Sequence, residues 1–209
     1  MQATQRGISH LRTHDPVLAQ VIDSTLEVPT FTPHTNYYQS LVDSIISQQL
    51  SVKAAASIQR RFNALFGDEI TIPSPDQILT SNVELLRSAG LSRPKAAYIL
   101  DLAQKTIDGT IVFDHLESLD NEAVIAELTQ VKGIGEWTVH MFLMFCMGRL
   151  DILPTGDLGI RNGITKLYSL RATATPDDVK RIAEKHNWRP YQSIASWYVW
   201  HSLDNKPSL

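Results

Sequence analysis

The amino-acid sequence predicts an all-α protein, and three observations support that class. Apolar residues from about Thr35 to Leu50 recur at intervals of three and four, the spacing of one helix face. Capping residues, prolines and glycines divide the rest of the chain into segments of helical length. No segment keeps the apolar–polar alternation that is typical of a half-buried strand. The chain has 209 residues, 43% of them apolar, which is enough for a substantial core.

Start and stop signals place the helices of the first half. Asp15 before Pro16 predicts a first helix to about residue 26, because Asp caps a helix well and Pro suits its first turn. Ser74 and Gln77 have the spacing of a capping box around a short helix. The other helices predicted in this half span about 35–50, 51–67, 82–88 and 93–108.

The second half contains the same kinds of signal. Asp120 is expected to cap a helix that leads into a tight turn, and Thr175 followed by Pro176 is expected to start another. Further helices are predicted from about residue 136 for twelve residues, from 158 to 168, and from Pro190 onward.

The tight turn lies in the segment 128–138, LTQVKGIGEWT, where one helix ends and another begins. This is the pattern of a helix-hairpin-helix motif. We expect both glycines of the turn to adopt positive φ, so that backbone N–H groups and a helix N-terminus face one point. Such a point suits a DNA phosphate. The candidate phosphate-binding residues are Lys132, Gly133, Ile134, Gly135 and Thr138.

A carboxylate follows 22 residues after Gly135, at Asp157 in the Gly/Pro-rich loop PTGDLG. An Asp directly before a helix is most often an N-cap, which contributes about 1 kcal/mol. A helix N-terminus also stabilises the charged form of a carboxylate. Capping and catalysis are therefore compatible functions for Asp157.

The combination of this hairpin with Asp157 resembles the helix-hairpin-helix DNA glycosylases of base excision repair. It is most similar to their 3-methyladenine DNA glycosylase II (AlkA-like) branch. Three further segments match in the same order: 44–51 (SIISQQLS), 89–96 (AGLSRPKA) and 188–200. The resemblance covers roughly residues 37–203. It implies one domain with two helical lobes, about 1–45 with 136–209 and about 46–135, and a cleft with the hairpin and Asp157 at its mouth.

The resemblance also implies a mechanism. Cleavage of an N-glycosidic bond builds positive, oxocarbenium-like charge on the sugar, which the anion of Asp157 would stabilise. The same carboxylate would orient or deprotonate the attacking water. Relatives that also cut the DNA strand have a lysine in a G-x-G-x-K pattern, and Trp137 stands at that position. A monofunctional hydrolase is therefore expected, because Trp137 has no amine to attack the sugar.

A damaged base must leave the duplex before a pocket can bind it, and aromatic walls suit its flat face. Trp137 and Trp200 match the pocket positions of the family. Met141 and Leu158 stand where the best-known bacterial pattern has tyrosines, which leaves the substrate range open.

The gap left by a flipped nucleotide needs a side chain to fill it. Gln49 is the candidate wedge, with Gln48 beside it, although an exposed polar turn would carry the same residues. Among the other aromatic residues, Trp188 and Trp197 are expected in the core.

Composition limits the cofactors. The single cysteine, Cys146, excludes the four-cysteine iron–sulfur ligation of some relatives, and the seven histidines lack the spacing of a zinc site. No metal or organic cofactor is expected, apart from a monovalent cation that some relatives hold through hairpin carbonyls. The start of the chain lacks the apolar core of a signal peptide, and no run is long enough to span a membrane. We expect a soluble, cytoplasmic monomer, bound to nucleoid DNA if it is bacterial or archaeal.

The leading hypothesis is a glycosylase that flips alkylated purines of the 3-methyladenine and 7-methylguanine type out of damaged double-stranded DNA and releases them. A glycosylase for a deaminated or oxidised base is one alternative. A non-catalytic helix-hairpin-helix DNA-binding module is another. The net charge of −3 disfavours a nucleic-acid partner only mildly, because a stretch with three basic residues and no acid lies at 44–65.

Overall fold

The computed structural model describes residues 2–34 and 36–203, and within them all regular secondary structure is helical. The predicted all-α class is therefore confirmed. The α-helices in chain order are α1 (Gln2–His14), α2 (Pro16–Ser24), α3 (Tyr37–Ser47), α4 (Val52–Ala64), α5 (Pro75–Leu79), α6 (Val83–Ser88), α7 (Arg93–Ile107), α8 (Asn121–Leu128), α9 (Glu136–Met141), α10 (Leu158–Leu167), α11 (Pro176–Lys185) and α12 (Gln192–His201). A 3₁₀ helix (Phe113–Ser118) lies between α7 and α8, and α9 continues into a π-helical turn (Phe142–Cys146).

Most helix starts are set by local capping, as the sequence predicted. The side chains of Asp15, Ser51, Ser74, Asp120 and Thr175 each accept a hydrogen bond from a backbone N–H in the first turn of the helix that follows. Positive-φ glycines stand just beyond the ends of α4, α6 and α7, as the stop signals indicated. The capping hydrogen bonds satisfy N–H groups that have no partner within the helix.

The structure differs from the predicted helices at α1, α3 and α12. Helix α1 was not predicted, because its sequence is mostly polar and contains Gly7. A Cβ at Gly7 would lie 2.7 Å from Cδ1 of Tyr191, so the missing side chain allows close packing of α1. Helix α12 begins at Gln192 and not at Pro190. Helix α3 begins at Tyr37, while Thr35, the predicted start, lies outside the described residues.

The contacts divide the chain into two compact units. The described residues of the first unit are 2–34 and 143–203, and those of the second are 36–142. Helices α3 and α9 thus belong with the middle helices, whereas the resemblance placed the boundaries near residues 45 and 136. Among the described residues, we find no helix with both the length and the apolar character needed to cross a membrane.

In the first unit, α12 packs against α1, α2 and α10. Its core includes the fully buried side chains of Leu11, Leu18 and Trp188. Asp15 is buried as well, yet it is satisfied: it caps α2, and it accepts hydrogen bonds from the Trp188 indole (2.8 Å) and the Tyr168 hydroxyl. This carboxylate joins the start of α2 to the segments that follow α10 and α11.

In the second unit, α7 is the central helix and packs against α3, α5 and α6. Its buried residues Ile99 and Leu102 lie in a core with Ile45 and Phe62. The side chain of Gln59 on α4 donates a hydrogen bond to Asp43 on α3, and this bond links the two helices on either side of the turn at 48–51.

Candidate active site

Asp157 is the N-cap of α10, as the sequence predicted. Its Oδ1 accepts hydrogen bonds from the backbone N–H of Ile160 (2.7 Å) and from Nε1 of Trp200 (2.8 Å). Its own N–H donates to the carbonyl of Pro154 (3.0 Å), which closes the preceding loop. Two donors on one oxygen restrict the rotation of this half-buried carboxylate, and the N-terminus of α10 stabilises its charge.

Two glycines on α10 allow the Trp200 indole to approach Asp157. A Cβ at Gly159 would lie 2.9 Å from Cδ1 of Trp200 and 3.0 Å from Oδ1 of Asp157. One turn later, a Cβ at Gly163 would lie 2.5 Å from Cγ1 of Val199. Helix α12 can pack this closely on α10 only because both positions lack a side chain. The sequence contained this signal, two glycines four residues apart directly after Asp157, but its meaning depends on which helix packs against α10.

The surroundings of Trp200 differ from those expected for a residue on which a base stacks. The residue is only 3% exposed, and its ring centroid lies 6.4 Å from that of Phe145. Its N–H is committed to Asp157. Leu158, directly after the carboxylate, is 62% exposed.

The two remaining tryptophans of this unit differ from each other. Trp188 is fully buried, in agreement with its predicted place in the core. The same prediction is wrong for Trp197, which is only half-buried and stacks on His201 with ring centroids 4.9 Å apart. A helical aromatic residue can face a neighbour on its own helix, and the sequence pattern alone does not distinguish this case from core packing.

The hairpin forms in the second unit, where the segment 129–135 joins α8 to α9. Gly133 has φ +80, as expected, but Gly135 has φ −96 and ψ 171, an extended conformation open to any residue. The expectation of positive φ at both glycines is therefore wrong for Gly135. A Cβ at Gly133 would collide with the ring of Tyr98, whereas one at Gly135 would meet no other atom within 4 Å. Gly133 is needed for packing, and Gly135 leaves open space at the N-terminus of α9.

The groups proposed to bind a phosphate have different surroundings. The N-cap residue of α9, Gly135, provides no side-chain cap for the first turn, which contains the buried residue Thr138. The N–H of Ile134, by contrast, donates to the carbonyl of Val131 (3.1 Å), so this amide is used inside the turn. The side chain of Lys132 is 73% exposed, with its Nζ 3.6 Å from Oδ1 of Asp101.

Asp101 on α7 binds the backbone at the start of the hairpin. Its Oδ2 accepts from the backbone N–H of Lys132 (2.9 Å) and from Nζ of Lys105 (2.8 Å), which also donates to the carbonyl of Gln130 (2.6 Å). Burial raises the pKa of Asp101, but these hydrogen bonds and the two lysine charges more than offset it and leave the pKa lowered. The carboxylate is thus charged and fixes the backbone at the start of the hairpin.

Trp137 and Met141 lie four residues apart on α9, so they share one helix face. Trp137 is 45% exposed and Met141 is buried. His140 lies between them, and burial lowers the pKa of its imidazole against the opposing effect of Glu136. Trp137 thus lies in the first turn of α9 with part of its ring exposed.

The two glutamines of the candidate wedge have separate contacts. The Nε2 of Gln48 donates to the carbonyl of Gly133 (2.9 Å), which ties the turn between α3 and α4 to the hairpin. Gln49 is exposed, and its backbone has φ +57. The sequence did not distinguish the two residues, because the difference arises from a contact 85 residues away.

Comparison with known proteins identifies the class to which this fold and these residues belong. The model of the HhH-GPD superfamily of base excision DNA repair proteins matches residues 42–189, and the chain belongs to that superfamily. It is 38% identical over 166 residues to DNA-3-methyladenine glycosylase 1 of Schizosaccharomyces pombe, an alignment that covers 78% of this chain and 71% of the relative.

Two solved structures are similar over most of the chain. One is the S. pombe 3-methyladenine DNA glycosylase in complex with abasic DNA, with a TM-score of 0.80, 32% identity, and coverage of 98% of this chain and 99% of the other. The second is a DNA-3-methyladenine glycosidase from Bacillus halodurans, with a TM-score of 0.82, 35% identity, and coverage of 94% and 88%. The resemblance inferred from the hairpin and Asp157 is thereby confirmed.

Proposed function

We propose that this protein is a monofunctional DNA glycosylase that hydrolyses the N-glycosidic bond of alkylated purines in double-stranded DNA and leaves an abasic site. The observation that carries the proposal is the carboxylate of Asp157, which two donors hold at the N-terminus of α10. An N-cap needs only the bond from Ile160, and the bond from Trp200 restricts the same oxygen further. The names of its relatives in the superfamily, which are 3-methyladenine glycosylases, support the same substrate class.

In the proposed mechanism, Asp157 stabilises the transition state in which the bond between base and sugar breaks. Positive charge develops on the deoxyribose, and a carboxylate that is already oriented stabilises it without further reorganisation. The hydrogen bonds at Oδ1 restrict the carboxylate, which would then face the reacting sugar or its attacking water in a fixed orientation. We assign Trp200 to this positioning function, since its N–H is bonded to Asp157.

Residues of the hairpin and of the turn at 48–51 would bind the DNA duplex. The uncapped first turn of α9, with Lys132 and the backbone at Gly135, would bind a phosphate and hold the duplex in register. Gln49 would fill the gap left by the flipped nucleotide, because its side chain is the exposed one of the pair. A monovalent cation at the hairpin stays part of the proposal: the carbonyls of Val131 and Gly133 each accept one internal hydrogen bond and retain a second lone pair.

Trp137 supports a hydrolase without strand cleavage. A lyase needs an amine that forms a Schiff base with the sugar, and an indole cannot do so. The exposed ring of Trp137 instead offers a face on which an electron-poor base can stack, and Met141 lies on the same side of α9. In DNA, 3-methyladenine and 7-methylguanine are cationic, so they leave with little protonation. We therefore expect faster release of 3-methyladenine and 7-methylguanine than of neutral hypoxanthine.

The test is incubation with methylated duplex DNA, followed by chromatography of the released bases and by borohydride treatment of the reaction. The proposal expects free methylated purines, intact strands and no trapped covalent adduct. Release of only deaminated or oxidised bases would select the alternative glycosylase, and binding without any release would select the non-catalytic module. A borohydride-trapped adduct would overturn the assignment of water as nucleophile.

A further inference from the structure

The turn between α3 and α4 contains a residue in an unfavourable conformation. Gln49 has φ +57, and a residue with a Cβ enters this left-handed region only when its surroundings require it. Within the turn, the N–H of Leu50 donates to the carbonyl of Ser47 (3.0 Å). A single turn bond does not explain why a non-glycine residue keeps this backbone angle, so the constraint must come from outside the turn.

Lys95 on α7 supplies that constraint. Its Nζ donates to the carbonyl of Ile46 (2.8 Å) and to the carbonyl of Gln48 (2.6 Å). The first carbonyl belongs to the last turn of α3, whose carbonyls lack partners within the helix. The second belongs to the peptide unit that joins Gln48 to Gln49. One ammonium group therefore fixes both the end of α3 and the peptide plane that sets φ of Gln49.

The same face of α7 also supports the hairpin. Tyr98 and Asp101 follow Lys95 at intervals of three residues, so the three side chains lie along one side of the helix. The ring of Tyr98 fills the space next to Gly133, and Asp101 accepts from the N–H of Lys132 (2.9 Å). Together with the bond from Gln48 to Gly133, these contacts connect the turn, the hairpin and α7.

Local contacts fix the start of α7, the helix that carries Lys95. Ser92 caps the helix by accepting from the N–H of Lys95 (3.4 Å), and Gly90 before it has φ +101. The side chain of Arg61 donates to the carbonyl of Ala89 (2.8 Å) and anchors this segment to α4. The matched segment 89–96 thus places a lysine under the turn, a function that the sequence did not reveal.

We propose that Lys95 is a positioning residue for nucleotide flipping: it holds the turn so that the side chain of Gln49 can enter the DNA stack as the lesion leaves it. The proposal rests on the proposed function of this protein as a glycosylase. Lys95 itself touches neither the base nor the sugar in this account. Its effect is confined to the step in which a paired, stacked nucleotide leaves the duplex.

The first experiment compares Lys95→Met with wild type in single-turnover release of 3-methyladenine from a duplex and from the same strand without its complement. Met keeps the length and packing of the side chain and removes the donor. We expect duplex release to fall by about 10- to 100-fold, the usual effect of losing hydrogen bonds to a charged group. Release from the single strand should stay within about threefold, because no stacked partner must be displaced. Lys180→Met, at an exposed site on α11, is the matched control and should change neither rate.

A double-mutant cycle separates positioning from simple stabilisation. If Lys95 acts through Gln49, Lys95→Met should add little to the loss caused by Gln49→Ala. Multiplicative losses, or equal losses on duplex and single strand, would overturn the proposal. If Lys95→Met lowers the melting temperature too far for assay, Lys95→Gln retains one donor and should give a smaller loss with the same substrate pattern.

A second measurement does not depend on base release. Hydrogen exchange of residues 47–51 should be at least about 10-fold faster in Lys95→Met than in wild type, while exchange in α10 and α12 stays unchanged. The variant should also lose preference for a duplex with an abasic-site analogue over an intact duplex. Should wild type release no base, the proposed function fails, and these two results still decide on Lys95. Unchanged exchange at 47–51 would refute its positioning of the turn.

Discussion

Replacing Asp157 by Asn isolates the charge of the candidate catalytic residue. The hydrogen bonds from the N–H of Ile160 and from Nε1 of Trp200 both end on Oδ1 of Asp157, and an Asn side chain presents a carbonyl oxygen at the same place. The cap of α10 and the bond from Trp200 are therefore kept. The negative charge disappears while these two bonds remain, so the folded structure should be preserved.

The expected loss of rate in Asp157→Asn follows from the attraction between two unit charges. At about 4 Å and an effective dielectric constant of about 20, opposite charges attract by about 4 kcal/mol. If Asp157 stabilises an oxocarbenium-like sugar, loss of that attraction should slow base release by about 10³-fold. The affinity for lesion-containing duplex should change little, because binding rests on phosphate contacts elsewhere.

The assay is single-turnover release of 3-methyladenine from a defined duplex, with affinity measured separately. Asp120→Asn is the matched control: Asp120 caps α8 in the same way, with its carboxylate accepting from the N–H of Ala123 (2.8 Å), and its substitution should leave the rate unchanged. A rate in Asp157→Asn within threefold of wild type would refute the assignment of Asp157. A loss of the same size in Asp120→Asn would mean that the effect is not specific to the charge of Asp157.

Three further predictions follow from the structure. Gly135→Val should leave stability intact and weaken binding to damaged and undamaged duplex alike, while Gly133→Val should lower the melting temperature, because its Cβ collides with a neighbouring ring; affinity loss restricted to lesion DNA would contradict this. Trp200→Phe removes one donor from Asp157 and should slow single-turnover release by about 10-fold or more without weakening DNA binding; the opposite pattern would indicate base stacking. Burial, opposed by a hydrogen bond from the Gln59 side chain, raises the pKa of Asp43 from 3.8 to about 6, so stability present near pH 4 should be lost as pH rises through 6. Urea unfolding should find Asp43→Asn more stable than wild type at pH 7, by at most about 3 kcal/mol, and similar to it near pH 4; a constant difference across this range would rule out the titration.

Local signals in the sequence explain most of the fold. A cap acts on N–H groups two or three residues away, so Asp15, Ser74 and Thr175 predicted helix starts without knowledge of the tertiary structure. Helix α1 lacked such signals. It packs against α2 and also against α12, which lies far away in the sequence and therefore leaves no pattern within α1.

The sequence alone was sufficient to identify the superfamily, to select Asp157 and to exclude a lysine nucleophile at position 137, because each of these depends on which residue stands at a position in a short motif. The contacts of Trp200, Gln48 and Lys95 became visible only in the tertiary structure. Trp200 is buried against Gly159 with its N–H on Asp157, Gln48 is bonded to the hairpin, and Lys95 holds the turn before Gln49. Each of these contacts joins residues 40 or more positions apart, and only the packing of whole helices determines which such residues meet.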